Sequence, residues 1–189
     1  KIFPLTNGEG WNRAEFNEGF TQFYCFRSDI NTPQTVTHHE IVMDKKKNIS
    51  VNLVKTVNES AKQKEKISEY GYGKAEFIKV PNSKGDTLNG WMLKPAGFDP
   101  AKKYPVLFCN YGGPGSQQVG NRFGAVSPWH QLLSQKGFIV VSVDNTGTGY
   151  RGEEFKKKTY LQLGKFEIED QIDAAKWLSK MSFVDGNNI

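Results

Sequence analysis

Tyr111 stands in the run Asn110-Tyr111-Gly112-Gly113-Pro114-Gly115-Ser116, directly after an apolar stretch. Glycines in such a run let the backbone turn sharply and approach a ligand closely. A phenol placed there could donate a hydrogen bond to a developing oxyanion and stay neutral at pH 7. The same residues also suit a tight turn in which Tyr111 only packs. A second glycine-rich run, Asp144-Asn145-Thr146-Gly147-Thr148-Gly149-Tyr150-Arg151-Gly152, suggests a phosphate cradle. It has neither the P-loop spacing nor the dinucleotide-binding spacing. The sturdier reading is structural, with Asp144 fixing a crossover turn and Arg151 pairing with a nearby carboxylate. The third run, Leu163 to Gln171, carries Glu167, Glu169 and Asp170. Clustered carboxylates can do acid–base or metal chemistry, but Glu169, Asp170 and Asp173 have the wrong periodicity to converge on a histidine. A solvated helix start is favoured. His38 and His39 are neighbours on a strand-like run and must point to opposite faces. They read as structural or exposed, as does His130 near a helix start. Zinc-ligand spacing is absent.

These runs need elements to hold them. Tyr104–Asn110 and Ile139–Val143 are continuous apolar runs of the kind found in buried parallel strands. Pro128–Lys136 lies between them and fits a helix stopped by Gly137, which makes a βαβ unit. Phe166–Met181 reads as an amphipathic helix, with Ile168, Ile172, Ala175 and Leu178 at helical spacing and Lys176 and Lys180 near its end. Upstream, Glu76–Val80 and Leu88–Leu93 form a hairpin across the turn Asn82–Asp86.

Residues 56–73 are polar and helix-tolerant, like a connector between domains. Residues 1–55 read as β, with strands at Phe20–Phe26, Thr35–Met43 and Ile49–Val54. In the first, Phe20, Gln22, Tyr24 and Phe26 share one face, and Thr21, Phe23 and Cys25 the other. Strands this short, at this spacing, suit one blade of a β-propeller, which cannot bury its own faces. The expected class is therefore α/β: an incomplete, mostly parallel sheet at 74–189, preceded by propeller-blade strands.

With 189 residues, the chain has room for one full domain and part of another. A net charge of +5 raises the question of nucleic acid. The densest runs, Lys45–Lys47 and Lys156–Lys158, carry no interleaved aromatics and read as solvated faces. No apolar stretch approaches the roughly 18–20 residues of a membrane span. No signal peptide is present; the chain starts at Lys1 without an initiator Met and reads as an excerpt. Cys25 and Cys109 lie in apolar strand-like runs and read as buried free thiols, with a disulfide between them left open as an exported protein would permit.

Taken in order, Lys103–Leu107, Tyr111–Val119, Asp144–Gly152, Leu163–Gln171 and Phe183–Asp185 resemble the prolyl oligopeptidase family in its dipeptidyl peptidase IV branch. The resemblance is close over 74–189 and looser over 1–72. It implies the end of a β-propeller at 1–55, a connector at 56–73, and at 74–189 an α/β-hydrolase domain truncated before the nucleophile elbow. It implies Ser-His-Asp hydrolysis that releases N-terminal dipeptides after Pro or Ala. Tyr111 takes the place of the family tyrosine that helps form the oxyanion hole. The nucleophile Ser, the Asp and the His lie beyond Ile189, so the chain alone is expected to be inactive. Thr146 and Thr148 stand where family members often carry Arg and Ser, and the role of that arginine does not transfer. The resemblance further implies no cofactor and no metal, peptide substrates with Pro or Ala at the second position, no nucleic-acid partner and a parent able to form homodimers. It implies a secreted, periplasmic or cell-surface location. Two alternatives stay open: a non-catalytic binding protein on the same fold, and an acylaminoacyl peptidase or esterase.

Overall fold

The computed structural model describes residues 4–6 and 8–189; the first three residues and Asn7 of the expected 1–55 segment lie outside the described residues. The chain divides into two units, Lys1–Tyr70 with Asn121–Gly124, and Gly71–Gly120 with Ala125–Ile189.

In the first unit, strands β1 (Trp11–Phe16), β2 (Gln22–Asp29), β3 (Thr32–Met43) and β4 (Ile49–Asn58) form an antiparallel sheet in sequence order. Four-stranded sheets of this kind are the blades of propellers. Alternation works in β2 as the sequence predicts: Phe23 and Cys25 are buried while Tyr24 is largely exposed. His39 stacks on Phe23 at 4.9 Å and His38 on Tyr24 at 5.0 Å. Each histidine sits directly opposite its aromatic partner across the β2–β3 ladder, on opposite faces. Strand β1 has no counterpart among the sequence expectations. All six of its residues are exposed, so no burial pattern marks it. Strand β4 runs past its expected end at Val54, and Leu53, Val54 and Val57 remain exposed on this edge strand. Part of the polar connector is helical, as α1 (Ala61–Glu69). Asn121 and Phe123 join this unit from far along the chain. The Asn121 carboxamide oxygen accepts the Ile30 N–H (3.0 Å), and the Phe123 N–H donates to the Ser28 hydroxyl (3.2 Å).

In the second unit, β5 (Ala75–Pro81), β6 (Thr87–Leu93), β7 (Val106–Phe108) and β8 (Ile139–Asp144) form one sheet in the order β5-β6-β8-β7. The sheet is mixed here: β5–β6 and β6–β8 pair antiparallel, and β7–β8 parallel. Three helices accompany it: α2 (Pro128–Gln135), α3 (Gly152–Lys157) and α4 (Lys165–Leu178). All six residues of β8 are buried. Ile139, Val141 and Val143 pack with Val80, Leu88 and Met92, and with Ala174 and Leu178 of α4. Each of the larger side chains among these, Val, Leu, Ile or Met, stabilises the fold by about 1.5–3 kcal/mol through removal from water.

Strand β7 is shorter than the apolar run Tyr104–Asn110 suggests. Its start is instead bonded to residues 183–188. The Tyr104 N–H donates to the Phe183 carbonyl, and the Val106 N–H to that of Asn188, both at 2.9 Å. Both cysteines are free thiols; Cys25 is buried, but Cys109, just past this strand, is only half-buried.

Helix α2 begins with a reciprocal cap. The His130 N–H donates to the Ser127 hydroxyl (3.4 Å), and the Ser127 N–H donates to His130 Nδ1 (3.1 Å). The imidazole also packs on Trp91, with ring centroids 5.2 Å apart. Nδ1 must be unprotonated to accept, and burial pushes the His130 pKa below its ordinary value of 6.5. The unfolded chain therefore binds this proton more readily than the folded one. The cap's contribution is whole above pH 6.5 and is lost as pH falls through the lowered folded value. Titration of the His130 ring protons by NMR is expected to give a midpoint under 6.5. A midpoint above 6.5 would show that the folded state favours the imidazolium, which cannot accept at Nδ1, and would count against the cap.

Candidate functional site

Tyr111 lies just beyond the carboxyl end of β7, and the Asp144–Gly152 run leaves the carboxyl end of the parallel neighbour β8. In open α/β sheets this end is where ligands bind. The two loops are bonded directly to each other. The Gly115 N–H donates to the Gly147 carbonyl and the Gly149 N–H to that of Ser116, both at 2.8 Å. The second glycine run thus serves close backbone approach, in keeping with its structural reading.

Tyr111 is 75% exposed. Its ring lies on Gly113, where a Cβ would stand 2.6 Å from the ring's Cε1. Gly112 has φ +72°, a conformation that side chains resist, and a Cβ there would come within 2.6 Å of the Asn145 carboxamide oxygen. Gly112 is therefore required by its backbone conformation, and Gly113 leaves room for the ring to lie where it does. Tyr111, Gly112, Asn145, Gln171, Ile168 and Ile172 are among the residues lining a groove of about 520 Å³.

Asp144 holds the loop that follows β7 rather than a crossover turn of its own strand. Its carboxylate accepts the Gln118 N–H (2.8 Å) and the Val119 N–H (3.0 Å), which anchors the far end of the Tyr111 loop. Burial pushes its pKa up, and the two amides pull it back. Thr148 donates its hydroxyl to the Asn145 carbonyl at 2.8 Å and keeps this second loop folded on itself.

Three expectations are corrected. Arg151 does not pair with a carboxylate among the described residues. Its guanidinium lies 4.0 Å over the Phe155 ring, and its Nη1 is buried without a hydrogen-bond partner. The start of α4 is only partly solvated. Glu167 accepts the Gly164 N–H (3.0 Å) and Glu169 pairs with Lys84, but Asp170 is completely buried. Its carboxylate accepts Asn82 Nδ2 (2.9 Å) and the Thr146 N–H (2.6 Å), joining the β5–β6 turn to the loop after β8. The apolar stripe of α4 is divided as well. Leu178 enters the core, whereas Ile168 and Ile172 are 61% and 47% exposed and wall the groove beside Tyr111.

Sequence reasoning did not single out Asn110 or Gln171, nor Asn145 for its side chain. All three stand inside runs that the sequence marks, but nothing local indicates that their carboxamides meet. Asn110 Nδ2 donates to Gln171 Oε1 (2.7 Å), and Gln171 Nε2 to Asn145 Oδ1 (3.2 Å). Asn145 Nδ2 in turn donates to the Gly112 carbonyl (3.0 Å). The chain of bonds runs from helix α4 to the residue that follows Tyr111.

The chain is similar to known proteins. The prolyl oligopeptidase family profile matches residues 125–189. "Probable dipeptidyl peptidase 4" of Emericella nidulans is 40% identical over 138 residues, which is 72% of this chain and 18% of that protein. "Dipeptidyl peptidase 4" of Trichophyton equinum is 37% identical over 138 residues, with the same coverage of 72% and 18%. The chain thus spans 18% of the length of these curated relatives. The crystal structure of Porphyromonas gingivalis dipeptidyl peptidase 4 superposes with a TM-score of 0.86 at 36% identity, covering 98% of this chain and 25% of that one. On that likeness the antiparallel sheet is propeller-blade structure and the mixed sheet is part of an α/β-hydrolase fold. The chain belongs to the prolyl oligopeptidase family.

Proposed function

We propose that this chain supplies the Tyr111 oxyanion loop of a serine-type dipeptidyl peptidase that releases N-terminal dipeptides ending in Pro or Ala. The observation that carries the reading is the placement of Tyr111: an exposed phenol at the carboxyl end of a parallel strand, on a glycine turn whose Gly112 carbonyl is hydrogen-bonded by the buried Asn145 side chain. In such an enzyme a serine attacks the scissile carbonyl, a histidine takes the proton and returns it to the leaving amine, and an aspartate orients the histidine. The carbonyl oxygen gains negative charge in the tetrahedral intermediate. A phenol fixed in advance stabilises that charge without reorganising. Relatives named dipeptidyl peptidase 4 support the substrate class.

Substrate profiling of the whole gene product tests the proposal. Amides of Gly-Pro and Gly-Ala with a free amino terminus are expected to be cleaved far faster than acetyl-Ala amides or short esters. A preference for acetyl-Ala or ester substrates would move the protein to the acylaminoacyl peptidase or esterase reading. No turnover of any substrate would favour a binding protein.

A further inference from the structure

Asn145 is 0% exposed, and all of its carboxamide is engaged. Nδ2 donates to two carbonyls, Gly112 at 3.0 Å and Thr146 at 2.8 Å, while Oδ1 accepts from Gln171 at 3.2 Å. Two carbonyl partners on one side and a carboxamide donor on the other fix which end is nitrogen. Gln171 is held in its turn. Its Nε2 donates to the Val143 carbonyl (3.0 Å) and its Oε1 accepts from Asn110, whose Oδ1 accepts the Val143 N–H (2.9 Å). The anchor of this relay is β8, whose residues are all buried. Its free end is the turn that carries Tyr111, where only a glycine at 112 leaves room for the Asn145 side chain.

We propose that Asn145 is a positioning residue that sets the Tyr111 phenol, with Gln171 holding Asn145 in the donating orientation. The inference rests on the reading of Tyr111 as an oxyanion donor for its catalytic consequence, but not for its geometry. An aspartate at 145 is the sharp probe. It keeps the size of the side chain, removes both N–H donors and sets a carboxylate against two carbonyl oxygens. A misplacement near 1 Å costs a reaction on the order of a hundredfold, so Asn145→Asp is expected to lower kcat at least about tenfold with KM little changed.

Two measurements test this. In the whole gene product carrying fluorotyrosine at 111, Asn145→Asp is expected to shift or broaden the Tyr111 fluorine resonance while the thermal melt stays cooperative. An unchanged resonance overturns the proposal. In the whole enzyme, the kcat penalty of Asn145→Asp is expected to shrink in a Tyr111→Phe background, because the group it positions is gone. The same penalty in both backgrounds shows general damage and overturns the proposal. If Tyr111→Phe has no effect on kcat, the oxyanion reading fails, and the fluorine resonance alone decides the positioning. Should Asn145→Asp not fold, Gln171→Met, at a partly exposed site, breaks the same relay and is expected to move the resonance in the same way.

Discussion

Replacing Tyr111 with phenylalanine in the whole enzyme is expected to lower kcat by about a hundredfold to a thousandfold, with KM nearly unchanged. The ring remains, and so does its seat on Gly113; only the hydroxyl is removed. The ground-state carbonyl asks little of that hydroxyl, whereas the tetrahedral oxyanion asks for a full charge-assisted hydrogen bond. The loss therefore falls on the transition state, at about 3–4 kcal/mol. A steady-state comparison on a Gly-Pro amide would measure it. An unchanged kcat would remove Tyr111 from the chemistry and leave it a packing residue. A rise in KM alone would make it a substrate-binding group.

The second large effect is on stability. Asp170→Ala is expected to destabilise the second unit by roughly 3 kcal/mol, a sizeable part of the about 5–15 kcal/mol that holds a domain folded. Asp170 is 0% exposed and accepts two hydrogen bonds, from Asn82 Nδ2 and the Thr146 N–H. Its removal strands two buried donors, each costing about 1–3 kcal/mol. Part of that is offset because a carboxylate is no longer withheld from water. Asp170→Asn keeps one acceptor oxygen and is expected to lose about half as much. Urea unfolding with unchanged m-value would report the difference. A loss under about 0.5 kcal/mol for Asp170→Ala would mean that water replaces the carboxylate at this site.

What could be read from the chain alone followed from features that are local. The βαβ unit was legible because apolar runs, a Pro-started helix and Gly137 are adjacent in sequence. The hairpin at Asn82–Asp86 was legible for the same reason, and strand alternation separated His38 from His39. The ordered blocks from Lys103 to Asp185 pointed to the prolyl oligopeptidase family, and with it to Tyr111. Strand β1 left no trace because an exposed edge strand needs no apolar alternation.

Tertiary structure decided which faces are covered. Helical periodicity grouped Ile168, Ile172 and Leu178 on one stripe, but only the end near Leu178 meets the sheet. The acidic start of α4 has the composition of a solvated turn. Asp170 is nonetheless buried, because its two donors come from Asn82 and Thr146, 88 and 24 residues away. Arg151 found the Phe155 ring rather than a carboxylate. The carboxamide relay behind Tyr111 belongs to the same class. Asn110, Asn145 and Gln171 are unremarkable as letters, and they acquire a role only when β7, β8 and α4 bring three hydrogen-bonding groups into one line. Local chemistry sets what each residue is able to do, and partners distant in sequence determine which of those abilities the fold uses.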